Sequence, residues 1–399
     1  MTVNMYKYKQ FFTPKKYSKI LVEKISYVRA EKIIDLTMGE GSLLFEASKI
    51  WKGSNFFGND IDRECCKKAQ DIIPKIQCYN EDIFLDKSIK FIIKESGTVD
   101  ICLGNPPFYL IKQNKDSVKI LKSFFLENYY KAEYISAEIL FILQALRILK
   151  NDGILSVILP DGFFVNNTLK KFRNFLITEY TIIDIVELPS EIFEHTKAKT
   201  HILILKKTKS ISKEIKLSSI QNQEAIFIHK DDACNRMDYS FYKNYSKYRN
   251  YKTLEKYDIE IFRGKPKFML KNIKEAWILH TTNFRFGNNF KSPLKTNRLI
   301  KKYVDRIAFK NDIIIPRVGT SILGKVGVVQ SGYFIATDCV FIIRVKNEND
   351  RKQILYALNS QFGKDWIQSI SKGVGARHIT LKDIVKMPII EKEHKNNEF

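Results

Sequence analysis

The stretch VDICLGNPPF, Val99–Phe108, is an apolar run closed by Gly104 and followed by an asparagine, two prolines and an aromatic ring. Proline has no backbone N–H to give to a sheet ladder, so a buried strand over VDICLG has to stop at Asn105. The two fixed φ angles that follow hold Asn105 and Phe108 in one place.

Outward from this strand, short β-rich runs alternate with helical patterns. The runs are KIIDLT (32–37), NFFGND (55–60), KIQCYN (75–80), VDICLG (99–104), GILSVILP (153–160), TIIDIVEL (181–188) and THILILKK (200–207). Helical stretches such as GSLLFEASKI (41–50), DRECCKKAQDII (62–73) and YISAEILFILQALRIL (134–149) lie between them. This alternation predicts an α/β fold: one doubly wound, mostly parallel, Rossmann-like sheet of seven strands. The polar, basic segment KKTKSISKEIKLSS (206–219) reads as the boundary, which divides the chain into residues 1–210 and 211–399. Beyond it, short strands broken by glycine turns (311–345) and an amphipathic helical stretch (351–370) predict a second, mixed α+β domain.

Composition narrows the function. The 399 residues carry a net charge of +23, and the excess is uneven: 32 Lys+Arg against 25 Asp+Glu up to Ser210, and 35 against 19 after it. A polyanion is the expected partner of the second half, with biased residue usage as the alternative. The six cysteines form no C-x-x-C pair and no zinc-like cluster, so reduced thiols, a cytoplasmic location and no metal are expected. The most apolar helical stretch, AEILFILQALRIL (137–149), carries Glu138 and Arg147 and is too short to cross a bilayer.

IIDLTMGEGSLLFEA (33–47) is a strand, a glycine turn and a helix start, in which Gly39 and Gly41 let the backbone pass close to a ligand. Asp60, nineteen residues after Gly41, stands where a carboxylate accepts both hydroxyls of a ribose. Asp35 would repel a pyrophosphate, so a ligand with a cationic amino-acid part fits better than a dinucleotide. Asp82 closes the third strand, giving acids at three successive strand tips ahead of NPPF.

That order resembles the S-adenosylmethionine-dependent amino-methyltransferases, in particular the γ-class DNA adenine-N6 methyltransferases of the TaqI type. FFTPKKYSKILVEKI (11–25) is similar to their N-terminal motif, which implies Thr13 beside the methionine part of S-adenosylmethionine. The resemblance further implies that Asp35, Thr37, Gly39 and Gly41 line the methionine side and that Asp60 binds the ribose. Ile61 would pack on the adenine, Asp82 and Ile83 would hold its edge, and Pro107 would border the cofactor. IVELPSEIFEHTKAKTHILILKK (185–207) resembles the late motif whose aromatic residue, here Phe193, lies beside the extruded base. Phe108 stands where the family often has tyrosine; stacking survives and only the hydroxyl's hydrogen bond is lost.

The implied reaction methylates the N6 amine of an adenine in a specific DNA sequence. The amine's lone pair is delocalised into the ring, so two acceptors aimed at its N–H bonds, the Asn105 side-chain oxygen and the Pro106 carbonyl, would favour the nucleophilic form. Phe108 would stack on the base. No covalent nucleophile is called for, and Cys102 follows no proline, which sets aside a cysteine route to C5-methylcytosine. In the second domain, which resembles type I specificity subunits, Arg317, Lys325 and Arg377 are candidates to read guanine edges. The expected partners are double-stranded DNA and a separate cognate restriction endonuclease, with the enzyme a monomer on DNA and no membrane involved. An RNA base or protein glutamine methyltransferase, and a non-catalytic DNA-specificity protein, are the alternatives.

Overall fold

The computed structural model describes residues 13–189, 192, 199–248, 250–271, 273–274, 277–285, 287–292, 306–319, 321–372 and 377–391. The chain divides into two compact units, Met1–Tyr239 and Ser240–Phe399.

In the first unit, α1 (Lys15–Glu23) precedes β1 (Lys32–Asp35), α2 (Ser42–Ile50), β2 (Asn55–Asn59), α3 (Arg63–Ile72), β3 (Gln77–Tyr79), α4 (Asp86–Ser96) and β4 (Val99–Gly104). A small hairpin of β5 (Leu110–Lys112) and β6 (Tyr134–Ser136) encloses α5 (Lys115–Lys122). Then come α6 (Ala137–Ile148), β7 (Leu149–Pro160), α7 (Asp161–Val165), α8 (Lys170–Glu179), β8 (Thr181–Glu187), β9 (Thr200–Lys206), β10 (Glu214–Ser219) and β11 (Asn222–His229). The seven expected strands all form. Among the described residues the sheet has nine, in the order β11-β10-β8-β9-β7-β4-β1-β2-β3. Strands β1 to β4, β7 and β8 run parallel, and β9 runs antiparallel between β7 and β8.

Alternation along the strands sorts the core. Ile33, Ile101, Leu103, Ile154 and Ile158 pack on one face with Leu43, Leu44 and Ala47 of α2. Because β1, β2, β3 and β4 are parallel neighbours, Asp35, Asp60, Asp82 and Asn105 come to one edge of the sheet, Asp35 at the C-terminal end of its strand and the others just past theirs. Ligands of open α/β sheets bind at that edge.

The expected boundary near residue 210 is displaced. Within 206–219 lies β10, which pairs parallel with β8 and antiparallel with β11. Ile215 and Leu217 are buried, and Lys216 pairs outward with Asp184 at 3.1 Å. Arg173 then ties the tail to the sheet domain, its buried guanidinium donating to the carbonyls of Cys234, Asn235, Phe163 and Asn166. With the division after Tyr239, the first unit holds 36 Lys+Arg against 30 Asp+Glu and the second 31 against 14.

The second unit is built on a five-stranded sheet, in chain order β12 (Ile259–Arg263), β13 (Asn289–Lys291), β14 (Ile313–Pro316), β15 (Gly327–Ser331) and β16 (Val340–Val345). Period-two alternation again decides the packing. Ile313, Ile315, Phe341 and Ile343 join Trp366, Ile367 and Leu358 of the two helices Glu348–Asn359 and Gln361–Ile370, whereas Ile314, Val340 and Ile342 join Leu279, Phe334 and Ala336 of a small three-stranded sheet.

Candidate active site

Of the strand-tip acids, Asp35 and Asp60 are buried and Asp82 is half-buried, and all three accept hydrogen bonds from backbone N–H groups. Asp35 accepts from the Thr37 N–H at 2.9 Å through Oδ1, while its Oδ2 and the Thr37 hydroxyl are buried with no hydrogen-bond partner among the described residues. Burial pushes the Asp35 carboxyl up to about 8; the Thr37 N–H opposes this and the Asp60 charge adds to it. Gly39 and Gly41 sit at φ 55° and 86°, in the left-handed region that a β-carbon disfavours. Gly39 N–H donates to Asp60 Oδ2 and Asp62 N–H to Asp60 Oδ1, both at 2.9 Å. Burial nevertheless raises the Asp60 carboxyl.

Ile61, beside Asp60, is 46% exposed. Asp82 accepts from Phe84 N–H at 3.0 Å. Ile83 is buried, and its carbonyl takes a hydrogen bond from Gln144 at 2.8 Å, so its side chain packs inside the unit.

The NPPF loop leaves β4 from Gly104, where a β-carbon would stand 2.2 Å from the Phe141 ring; only glycine lets α6 lie this close. Asn105 Nδ2 donates to Thr13 Oγ1 at 3.0 Å. Pro106 is buried and Pro107 half-buried, and half-buried Phe108 packs against the core of the first unit. The loop's far end is pinned by the Ala137 N–H, which donates to the Tyr109 carbonyl at 2.9 Å.

A family model described as N-6 DNA Methylase matches residues 3–268. The chain belongs to the N-6 DNA methylase family. It is 24% identical over 222 residues to the Type I restriction enzyme MpnII methylase subunit of Mycoplasma pneumoniae, a match covering 50% of this chain and 40% of that one. It is also 24% identical over 218 residues to the Type I restriction enzyme EcoEI methylase subunit of Escherichia coli, covering 50% and 42%. The chain thus spans less than half the length of these relatives. Among solved structures, the type IIG restriction endonuclease BpuSI superposes with a TM-score of 0.51 at 14% identity, over 96% of this chain and 59% of that one, a likeness of fold.

In this chain, two asparagines that the sequence reading passed over hold the strand tips in register. Asn59 donates to the carbonyls of Leu36 and Glu81 at 3.0 Å and accepts from Glu81 N–H at 3.0 Å. Asn80 donates to the carbonyls of Asp60 and Ile61 at 2.8 and 3.0 Å. The available signal was an asparagine directly before each acid-bearing turn, in GND and YNED. A buried charge cluster at the tips of β7, β8 and β9 was missed as well. His201 Nε2 meets Asp161 at 2.9 Å, and Lys199 meets Glu187 at 2.9 Å and Asp161 at 3.8 Å. Burial alone would raise Asp161, but Lys199 and His201 hold it down to about 2.

The candidates in the second unit are engaged within that unit. Arg317 donates to the Asp338 carbonyl, Lys325 to the Phe284 carbonyl at 3.3 Å, and Arg377 to the side-chain and backbone oxygens of Gln368 at 3.1 Å. Gly319 N–H bonds to the Arg377 carbonyl and Ile379 N–H to the Arg317 carbonyl, both at 2.9 Å, so the two arginines lie on paired segments. Phe193 lies outside the described residues. The six cysteines are free, and burial holds the thiols of Cys65, Cys66, Cys78 and Cys102 above their usual range.

Proposed function

We propose that the chain methylates the N6 amine of an adenine flipped out of duplex DNA at a specific sequence, as the modification activity of a restriction–modification system. The observation that carries this reading is the bond from Asn105 Nδ2 to Thr13. It turns the amide nitrogen toward the N-terminal segment and so the amide oxygen the other way, as an acceptor for an amine requires.

The residues at the strand tips fit S-adenosylmethionine. A buried carboxylate oxygen of Asp35 and a buried hydroxyl of Thr37, both without partners among the described residues, suit a ligand with a cationic amino-acid end, since buried polar groups need hydrogen bonds. Thr13, Gly39, Gly41 and Pro107 would border that end; Asp60 would take the ribose hydroxyls, and Ile61, Asp82 and Ile83 the adenine. When bound, the cofactor supplies an electrophilic methyl group.

The protein's part is placement. Asn105 and the Pro106 carbonyl are acceptors for the two N–H bonds, and the prolines keep them preorganised. Phe108 stacks on the base, with Phe193 a further aromatic candidate. Holding the amine in line with the methyl group contributes about 7–11 kcal/mol of barrier reduction. The second unit, with 31 Lys+Arg against 14 Asp+Glu, supplies the grip on DNA, with Arg317, Lys325 and Arg377 as candidate contacts.

The test is to incubate the full chain with labelled S-adenosylmethionine and genomic DNA, then identify the modified nucleoside by mass spectrometry. N6-methyladenine in one sequence context is expected. Label in RNA or protein alone would overturn the reading.

A further inference from the structure

Strands β5 and β6 pair antiparallel with Leu110 opposite Ser136, Ile111 opposite Ile135 and Lys112 opposite Tyr134. Alternation puts Ile111 and Ile135 on one face and Leu110, Lys112, Tyr134 and Ser136 on the other. Ile135 is buried, so the first face is the inner one. On the outer face Leu110 is 66% exposed, Tyr134 is 48% exposed, and Lys112 is exposed.

This face is a rigid continuation of the NPPF loop. Leu110 is two residues beyond Phe108, and between them Tyr109 is fixed by its carbonyl, which accepts from Ala137 N–H, and by its ring, which meets Phe84 edge-on at 6.4 Å. Lys112 of β5 and Lys115, Lys119, Lys122 and Lys131 of the segment the hairpin encloses are all exposed and form no ion pair among the described residues, beside three acids, half-buried Asp116 and exposed Glu127 and Glu133. An apolar pair held in water next to the NPPF loop, with Lys112 on the same face and further exposed lysines in the adjoining segment, matches a polyanion that offers apolar base faces between its phosphates.

We propose that the outer face of this hairpin meets duplex DNA beside the target adenine. Leu110 and Tyr134 pack on the base steps that border the vacated position, and Lys112 lies on a backbone phosphate. Extruding a base unstacks its neighbours, and apolar side chains set against an opened step offset that cost. This inference rests on the proposed adenine methylation.

The test compares full-length wild type, Leu110→Ser, Tyr134→Ser and the double variant. Two duplexes carry the sequence that wild type methylates: one with the target adenine paired to thymine, the other with it opposite an abasic site. Both side chains are exposed, so the variants should fold, which S-adenosylmethionine binding by calorimetry checks. The double variant should lose about 10- to 100-fold in kcat/KM on the paired duplex, because part of the unstacking cost is no longer offset. The abasic duplex should restore most of that loss. Equal activity of variant and wild type on the paired duplex overturns the inference, as does a loss that the abasic duplex leaves in place. In either case the adenine reading stands. Absence of transfer by wild type to any duplex overturns the adenine reading itself.

Discussion

Asn105 donates from Nδ2 to Thr13 Oγ1 at 3.0 Å, across 92 residues of chain. The side-chain amide of the NPPF loop is therefore held in part by the N-terminal segment. Thr13→Val keeps the shape and removes this acceptor, weakening the hold on the amide. The methylation rate should fall about tenfold, as expected for one neutral hydrogen bond of up to about 1.5 kcal/mol. Thr13→Ser should keep most of the activity. Single-turnover methylation of DNA measures both.

Asn105→Ala and Asp60→Ala should separate chemistry from cofactor binding. Without the Asn105 oxygen the amine loses a preorganised acceptor, a change of about 10²–10³ in rate, while S-adenosylmethionine affinity stays within about tenfold. Asp60→Ala leaves the ribose hydroxyls unmatched and releases the Gly39 and Asp62 N–H groups, so affinity should fall first. Calorimetric titration beside rate measurement distinguishes the two.

Asp35 should make both stability and cofactor affinity depend on pH. Burial raises its carboxyl from 3.8 to about 8 in the cofactor-free protein. The folded state therefore holds a proton that the unfolded chain has released, and the stabilisation, complete below about 4, is lost as pH rises through about 8. Asp35→Asn should remove that decline in thermal unfolding between pH 5 and 8. A cationic ligand prefers the ionised carboxylate, so S-adenosylmethionine should bind wild type more tightly as pH rises toward 8. Proton release near pH 7 should then appear as a buffer-dependent heat in calorimetry.

Phe125 should be a site of easy stabilisation. It caps α5 at φ 55° with its ring 87% exposed, while Leu126 N–H bonds back to the Leu121 carbonyl at 3.2 Å. Glycine suits this left-handed C-terminal position, where a β-carbon costs about 1–2 kcal/mol. Phe125→Gly should stabilise the protein by about 0.5–1 kcal/mol once the greater freedom of unfolded glycine is subtracted. Urea unfolding measures it.

The misplaced boundary shows where local reading stops. KKTKSISKEIKLSS looks like a linker because it is polar, yet an edge strand needs only alternate apolar residues, and Ile215 and Leu217 are enough to bury β10 against β8. Arg317 and Arg377 were legible as basic residues. Their donors go to Asp338 and Gln368 because those segments are brought together in the folded unit.

By itself the sequence determined the seven strands, the glycine turns at 39 and 41, the three tip acids and the rigid NPPF loop. Each of these follows from preferences of neighbouring residues: period-two apolar runs, missing β-carbons and missing N–H groups. Tertiary structure alone decided that Thr13 bonds to Asn105, that Asn59 and Asn80 lock the strand tips, that burial raises the Asp35 carboxyl, and that Leu110 and Tyr134 share one open face. Hydrogen bonds near 3 Å between residues 20 to 92 positions apart, and the burial that shifts a carboxyl, depend on strand register and packing, which no local stretch of chain encodes.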